Sequence, residues 1–207
     1  SIDSVKSSEK LKREVTKILD EVKNSKDNAL INLSKKFDDV EFSSVQNFKY
    51  EKKKKKNAYE RLDSKIINNL EYLKSRIIKF HSKKTVTGWK SEDSAFNEYG
   101  QIVRPINRVG LYAPGGTATY PSSILMTSVL AEIAGVNEII LAFPPSDEKV
   151  TNLMLACCYI GGVTEAISIG GAQSIAAMAF GTESIKKVDK IFGLSLIHIS
   201  EPTRPRL

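Results

Sequence analysis

Residues 108–123, RVGLYAPGGTATYPSS, decide how this chain is read. Val109 to Tyr112 is an apolar run of strand length. Pro114-Gly115-Gly116 ends it, because proline has no N–H for the ladder and glycine accepts φ > 0 without a Cβ clash. A helical pattern begins at Pro121. A strand that stops on bare glycine backbone and re-emerges as a helix leaves its carboxyl end open. In an open α/β sheet, that crevice is where ligands bind.

The layout repeats downstream. Strands are expected at Val109–Tyr112, Glu138–Phe143, Glu165–Ile169 and Val188–Phe192, with helices at Pro121–Ala134, Asp147–Ile160 and Ala172–Phe180 between them. Strands separated by helices read as right-handed βαβ units around a parallel sheet. Near-continuous apolar strands (IILAF, AISIG) fit a sheet covered on both faces. The expected fold class is α/β, with a Rossmann-like parallel-sheet domain over residues 105–193. Two further strand ends are candidate ligand contacts. At Gly170-Gly171-Ala172-Gln173 a strand passes into a helix whose first N–H groups, with the Gln173 amide, face an anion or an amide. As a plain helix-start residue, Gln173 needs no ligand. The other is Gly193. The turn at Ala113 to Gly116 has neither the G-x-G-x-x-G spacing nor a P-loop lysine, so it is weak alone.

Upstream, residues 1–104 read as a helical region, part of a first domain that this stretch leaves incomplete. Val5, Leu11, Val15, Ile18, Leu19 and Val22 form one stripe of an amphipathic helix over residues 5–24. Ser25 to Asp27 interrupts it. Asp27 is placed to cap a second helix with Ala29, Leu30, Leu33 and Phe37 on its apolar face, which Asp38-Asp39 ends. Leu62, Ile66, Leu70, Leu73, Ile77 and Phe80 predict one long helix from about Lys54 to His81. His81 has no second histidine or acidic cluster beside it and reads as a helix-end residue. Residues 86–103 read as two short strands joined by a polar turn.

The composition, 41% apolar over 207 residues, supports a buried core. No run is long and apolar enough for a bilayer, and the amino-terminal residues have no signal-like apolar region, so a cytoplasmic protein without a membrane role is expected. The net charge of +7 arises in residues 1–100 and centres on Lys52–Lys56. Aromatic residues are not interleaved there, so a solvated helix start or loop is preferred over a nucleic-acid site. Cys157 and Cys158, adjacent in an apolar helical run, read as buried thiols rather than a redox or metal pair.

Together, RVGLYAPGGTATYPSSILMTSVLAEIAGV, IGGAQSIAAMAFGTE and KVDKIFG resemble the histidinol dehydrogenase family. KKFDDV and TGWKSEDSAFNEYGQIVRPINRVG extend the likeness upstream, to about residues 5–193. The resemblance implies an aldehyde-dehydrogenase-like fold and oxidation of L-histidinol, through an aldehyde, to L-histidine. It also implies two NAD used in succession, one zinc per active site, and a homodimer. It puts Tyr112 and Gln173 where the family contacts NAD, with Gly115 and Gly116 in the adjoining turn. The family's next NAD contact is an asparagine in a Gly-Pro-Gly-Asn turn. Here Gly193 is followed by Leu194-Ser195-Leu196, and the likeness ends. Leu194–Arg204, LSLIHISEPTR, resembles a translated sequencing-library adapter, so residues 194–207 are expected to be a non-native tail in which His198 has no function. The family chain is about twice as long, and its zinc ligands and catalytic Glu-His pair lie beyond Gly193. No catalytic or metal-binding residue is therefore expected in this segment.

Two other readings stay open. Another NAD-linked dehydrogenase with an aldehyde-dehydrogenase-like domain would show a catalytic cysteine in a solvent-facing loop. A non-enzymatic basic module would bind DNA through Lys52–Lys56 with steep salt dependence.

Overall fold

The computed structural model describes residues 2–84, 86–115 and 121–193. In chain order these form α1 (Ile2–Asp38), β1 (Lys49–Tyr50), α2 (Lys52–Arg61), α3 (Ser64–His81), β2 (Trp89–Glu92) and β3 (Glu98–Gln101). Then follow β4 (Arg108–Tyr112), α4 (Pro121–Ile133), β5 (Glu138–Phe143), α5 (Glu148–Ile160), β6 (Glu165–Ser168), α6 (Gly171–Phe180) and β7 (Lys190–Gly193). The main sheet has the order β1-β6-β5-β4-β7. Its β6-β5-β4-β7 core is parallel, and β1 runs antiparallel on β6.

From β4 the chain steps outward to β5 and β6, then crosses back to place β7 on the far side of β4. If every crossover keeps one hand, reversing the direction of travel must move the connecting helix to the other face. The packing follows this rule. Val109, Leu111, Ile139, Leu141 and Phe143 meet buried residues of α4 and α5, while Ile140, Ala142 and Ile167 meet Ala176, Ala177 and Met178 of α6. Odd and even residues of one strand thus serve opposite layers. Gly110 lets α6 come close, since a Cβ there would lie 2.9 Å from Met178 Sδ.

The first-half helices form outer layers on this core. α1 packs on α6, α2 on α5 and α3 on α4. Each contributes buried apolar residues: Val22, Ala29, Leu30 and Leu33 from α1, Ala58 from α2, and Leu70 and Ile77 from α3. β2 and β3 pair as a separate antiparallel hairpin, exposed along its length.

The second-half strands and helices fall where their periodicity predicts, apart from shifts at the ends. β6 stops one residue earlier, at Ser168, and β7 begins at Lys190 rather than Val188. The first half departs further. The expected break near residues 25–27 is a kink at Lys26 (φ 47, ψ −120). Asp27 does not cap the helix after it. Its carboxylate accepts from Ser184 N at 3.3 Å and Ser184 Oγ at 2.5 Å, tying α1 to the α6–β7 connection. The single helix expected over Lys54–His81 is two, because Leu62 leaves helical geometry and Asp63 caps α3 by accepting from Lys65 N at 2.8 Å. Ile66, Phe80, Phe37 and Leu11, expected on apolar faces, are exposed. β1 is too short for its pattern to be seen in sequence.

Lys52–Lys56 do open a helix, yet Lys55 is buried at 2% exposure. Its Nζ donates to Val163 O at 2.5 Å and Thr164 O at 2.8 Å. The solvated reading therefore fails for that residue, because its position on α2 faces the α5–β6 turn.

Candidate functional site

The reversal of strand order falls between β4 and β7, where Tyr112 pairs with Gly193 in register. This is the topological switch point, and its crevice opens at the carboxyl ends of the strands. Tyr112 closes β4 as a half-buried residue and reaches across to the start of α6, where its OH accepts from Gly171 N–H at 3.1 Å. The phenol's own proton is left for another acceptor.

α6 starts on glycines and has no side-chain cap of its own. Gly171 adopts φ +62, a conformation that suits glycine, and a Cβ there would lie 2.6 Å from Gln173 Oε1. The Gln173 amide therefore folds back over the turn it follows. Gln173 is 2% exposed, and its Nε2 is buried without a hydrogen-bond partner.

The residue that completes this corner is Asp38, the last of α1. A Cβ on Gly170 would lie 3.2 Å from Asp38 Oδ1. Burial raises the Asp38 carboxyl above its usual range, and hydrogen bonding from Gly170 N–H and from the Gln173 amide partly restores its acidity. The Gln173 amide is thus near enough to favour the charge, yet neither its Nε2 nor Asp38 Oδ2 closes a well-formed hydrogen bond. Burial also raises the Tyr112 phenol; the Gly171 N–H opposes this and the charge of Asp38 adds to it, so the phenol stays a proton donor. A carboxylate at the α6 amino terminus occupies the place an anion would take. This corner suits a neutral polar group better than a phosphate.

Tyr112 pairs with Gly193 on one side and reaches the Gly171 turn, beside Gln173, on the other. Gly115 is described, and its close neighbour is Pro144, whose Cγ would lie 2.8 Å from a Cβ there. Gly116 and His198 lie outside the described residues. Asp38 was not singled out from sequence, where Asp38-Asp39 reads only as a helix end. Nothing local to it says that α1 stops against α6.

The other candidates lie elsewhere. His81 ends α3 and borders a groove of about 640 Å³ that runs past Met126, Leu130 and Phe192 and shares no residue with the Gly170–Gln173 turn. Among the described residues, no three His, Cys, Asp or Glu side chains converge as a metal site. Cys157 and Cys158 are free and fully buried. Burial pushes the Cys157 thiol up to about 12 and that of Cys158 up as well, which removes nucleophilic character. No helix among the described residues is long and apolar enough to cross a membrane.

Residues 3–201 match the family model described as histidinol dehydrogenase. The chain is 45% identical over 179 residues to histidinol dehydrogenase of Staphylococcus epidermidis, covering 86% of this chain and 42% of the relative. It is 41% identical over 184 residues to that of Clostridium acetobutylicum, covering 88% and 42%. The crystal structure of histidinol dehydrogenase from Elizabethkingia anophelis superposes with a TM-score of 0.81 at 32% identity, over 91% of this chain and 43% of that one. The chain spans less than half the length of these relatives.

Proposed function

The chain belongs to the histidinol dehydrogenase family, and from that membership we propose that it supplies the dinucleotide-binding segment of an enzyme oxidising L-histidinol through the aldehyde to L-histidine. The assembly proposed is a cytoplasmic homodimer. Zinc belongs to this reading as well, but the described residues do not offer its ligands.

The observation that carries the reading is Tyr112 at the end of β4, beside the switch point, with its OH reaching the Gly171 turn that leads into Gln173. The residues there fit a dinucleotide: a phenol with a proton to give, a buried amide nitrogen without a partner, and glycine backbone. When bound, NAD supplies the hydride acceptor. Tyr112 would hold it through its OH and Gln173 through its amide, while the Asp38 carboxylate disfavours a phosphate at this corner.

In the intact enzyme, Tyr112→Ala and Gln173→Ala are expected to weaken NAD more than histidinol. Loss of one polar contact costs about 1–2 kcal/mol, roughly a five- to thirty-fold rise in dissociation constant. Titration calorimetry with NAD alone reads this directly. Unchanged NAD affinity in both variants would move the site elsewhere.

A further inference from the structure

We propose that Asp38 is a positioning residue of this crevice: its carboxylate, lying against Gly170 and facing Gln173, sets the turn at the start of α6 and the direction of the Gln173 amide. The inference rests on the reading of the crevice given above. α6 begins at Gly170-Gly171 with no cap of its own, so its first N–H groups need partners from outside the helix. Distant parts of the chain come to this turn. Tyr112 OH accepts from Gly171 N–H at 3.1 Å, and the Asp38 carboxylate lies against Gly170, its Oδ1 3.2 Å from where a Cβ would stand.

Asp38 can do this because α1, packed on α6, ends beside the turn where α6 starts. An ionised carboxylate only accepts, so it draws the Nε2 end of the neighbouring amide and leaves Oε1 on the side of Gly171. The observed amide fits this, with Oε1 nearer than Nε2 to the Gly171 Cβ position, 2.6 Å against 3.3 Å. The orphaned Asp38 Oδ2 and Gln173 Nε2 are both buried at this corner, an acceptor and a donor held short of a good bond.

Asp38→Asn tests the idea because it keeps an oxygen and the same shape beside Gly170 while its amide no longer dictates which end of Gln173 faces it. In the intact enzyme, Asp38→Asn should melt cooperatively and bind NAD at least about fivefold more weakly, with little change for histidinol. On a Gln173→Ala background the same substitution should change NAD affinity no further, since a residue acting through another is not additive with it. Asp38→Glu, which keeps the charge, should recover part of the affinity. Parent-like NAD binding by Asp38→Asn, or fully additive losses in the double variant, would overturn the inference while leaving Tyr112 and Gln173 as contacts. If Tyr112→Ala and Gln173→Ala also leave NAD binding intact, the crevice reading falls and this inference with it.

Discussion

At the scale of single residues, the ionisable groups of the core do opposite things to stability. Asp38 is raised, first by burial, so the folded protein holds its proton to higher pH than the unfolded chain does. Its contribution to stability therefore falls as pH rises from the usual carboxylate pKa through the raised folded value, and at neutral pH the ionised form costs stability. Asp38→Asn is expected to melt at or above the parent temperature at pH 7, with the difference closing toward pH 4; thermal unfolding at both pH values checks it. Glu165 is the reverse case. Burial alone would raise it, but Arg108 and Lys49 together outweigh burial and hold it below the usual range. Arg108 also pairs with Glu138, and Lys49 reaches Glu165 at 2.9 Å. The stabilisation is present above the unfolded pKa and is lost as pH falls through the lower folded value. Arg108→Met should cost about 2–4 kcal/mol at neutral pH, because it leaves a largely buried carboxylate with one partner fewer. A urea midpoint unchanged from the parent would contradict this.

At the scale of elements, the first-half helices are fastened to the second half by side chains reaching backbone. Lys55 of α2 donates to the carbonyls of Val163 and Thr164, and Lys74 of α3 donates to Ile160 O at 2.8 Å. Both close the end of α5 from outside. Burial lowers the Lys55 ammonium, with partial compensation from nearby negative charge, so its hydrogen bonds work against a desolvation cost. Lys55→Met keeps most of the packing volume and removes both donors. It is expected to destabilise by about 1–3 kcal/mol, the cost of leaving carbonyls unpaired. Amide hydrogen exchange should show faster opening near residues 161–165 than in the centre of α5, and uniform exchange along α5 would refute the local role.

At the scale of the whole molecule, β7 is the last strand of the sheet among the described residues. β7 is largely exposed, Phe192 is 45% accessible, and the groove beside it is lined mainly by hydrocarbon. Trp89, Phe96, Tyr99 and Ile102 are exposed on the neighbouring hairpin segment. Exposed apolar surface beside an edge strand favours association with other chains. Expressed alone, residues 1–193 or 1–207 are expected to aggregate, to melt without a sharp transition, and to produce no NADH when zinc, NAD and histidinol are added. A stability of about 5–15 kcal/mol in an intact protein leaves little margin for uncovered core. Zinc-dependent turnover by either chain would refute the assignment of the catalytic groups to sequence beyond Gly193, and a cooperative melt would show that this segment folds by itself.

The sequence by itself determined the local elements of the second half. Helix and strand periods, together with Pro114, Gly115, Gly170 and Asp147 as punctuation, depend on neighbours within a few residues, so β4 through β7 and their helices are legible to within an end residue or two. It also singled out the turns after β4 and β6, because strand ends show where a crevice opens, whereas Tyr112 itself stands out only through the family resemblance. It did not show that Lys55 is buried against a carbonyl 108 residues away, that Asp27 holds Ser184 across 157 residues, or that Asp38 meets Gly170. Charged and polar residues carry no periodic signal of their partners. Only the tertiary structure, by laying α1 on α6 and α2 on α5, decided which carboxylate entered the crevice and which lysine left the solvent.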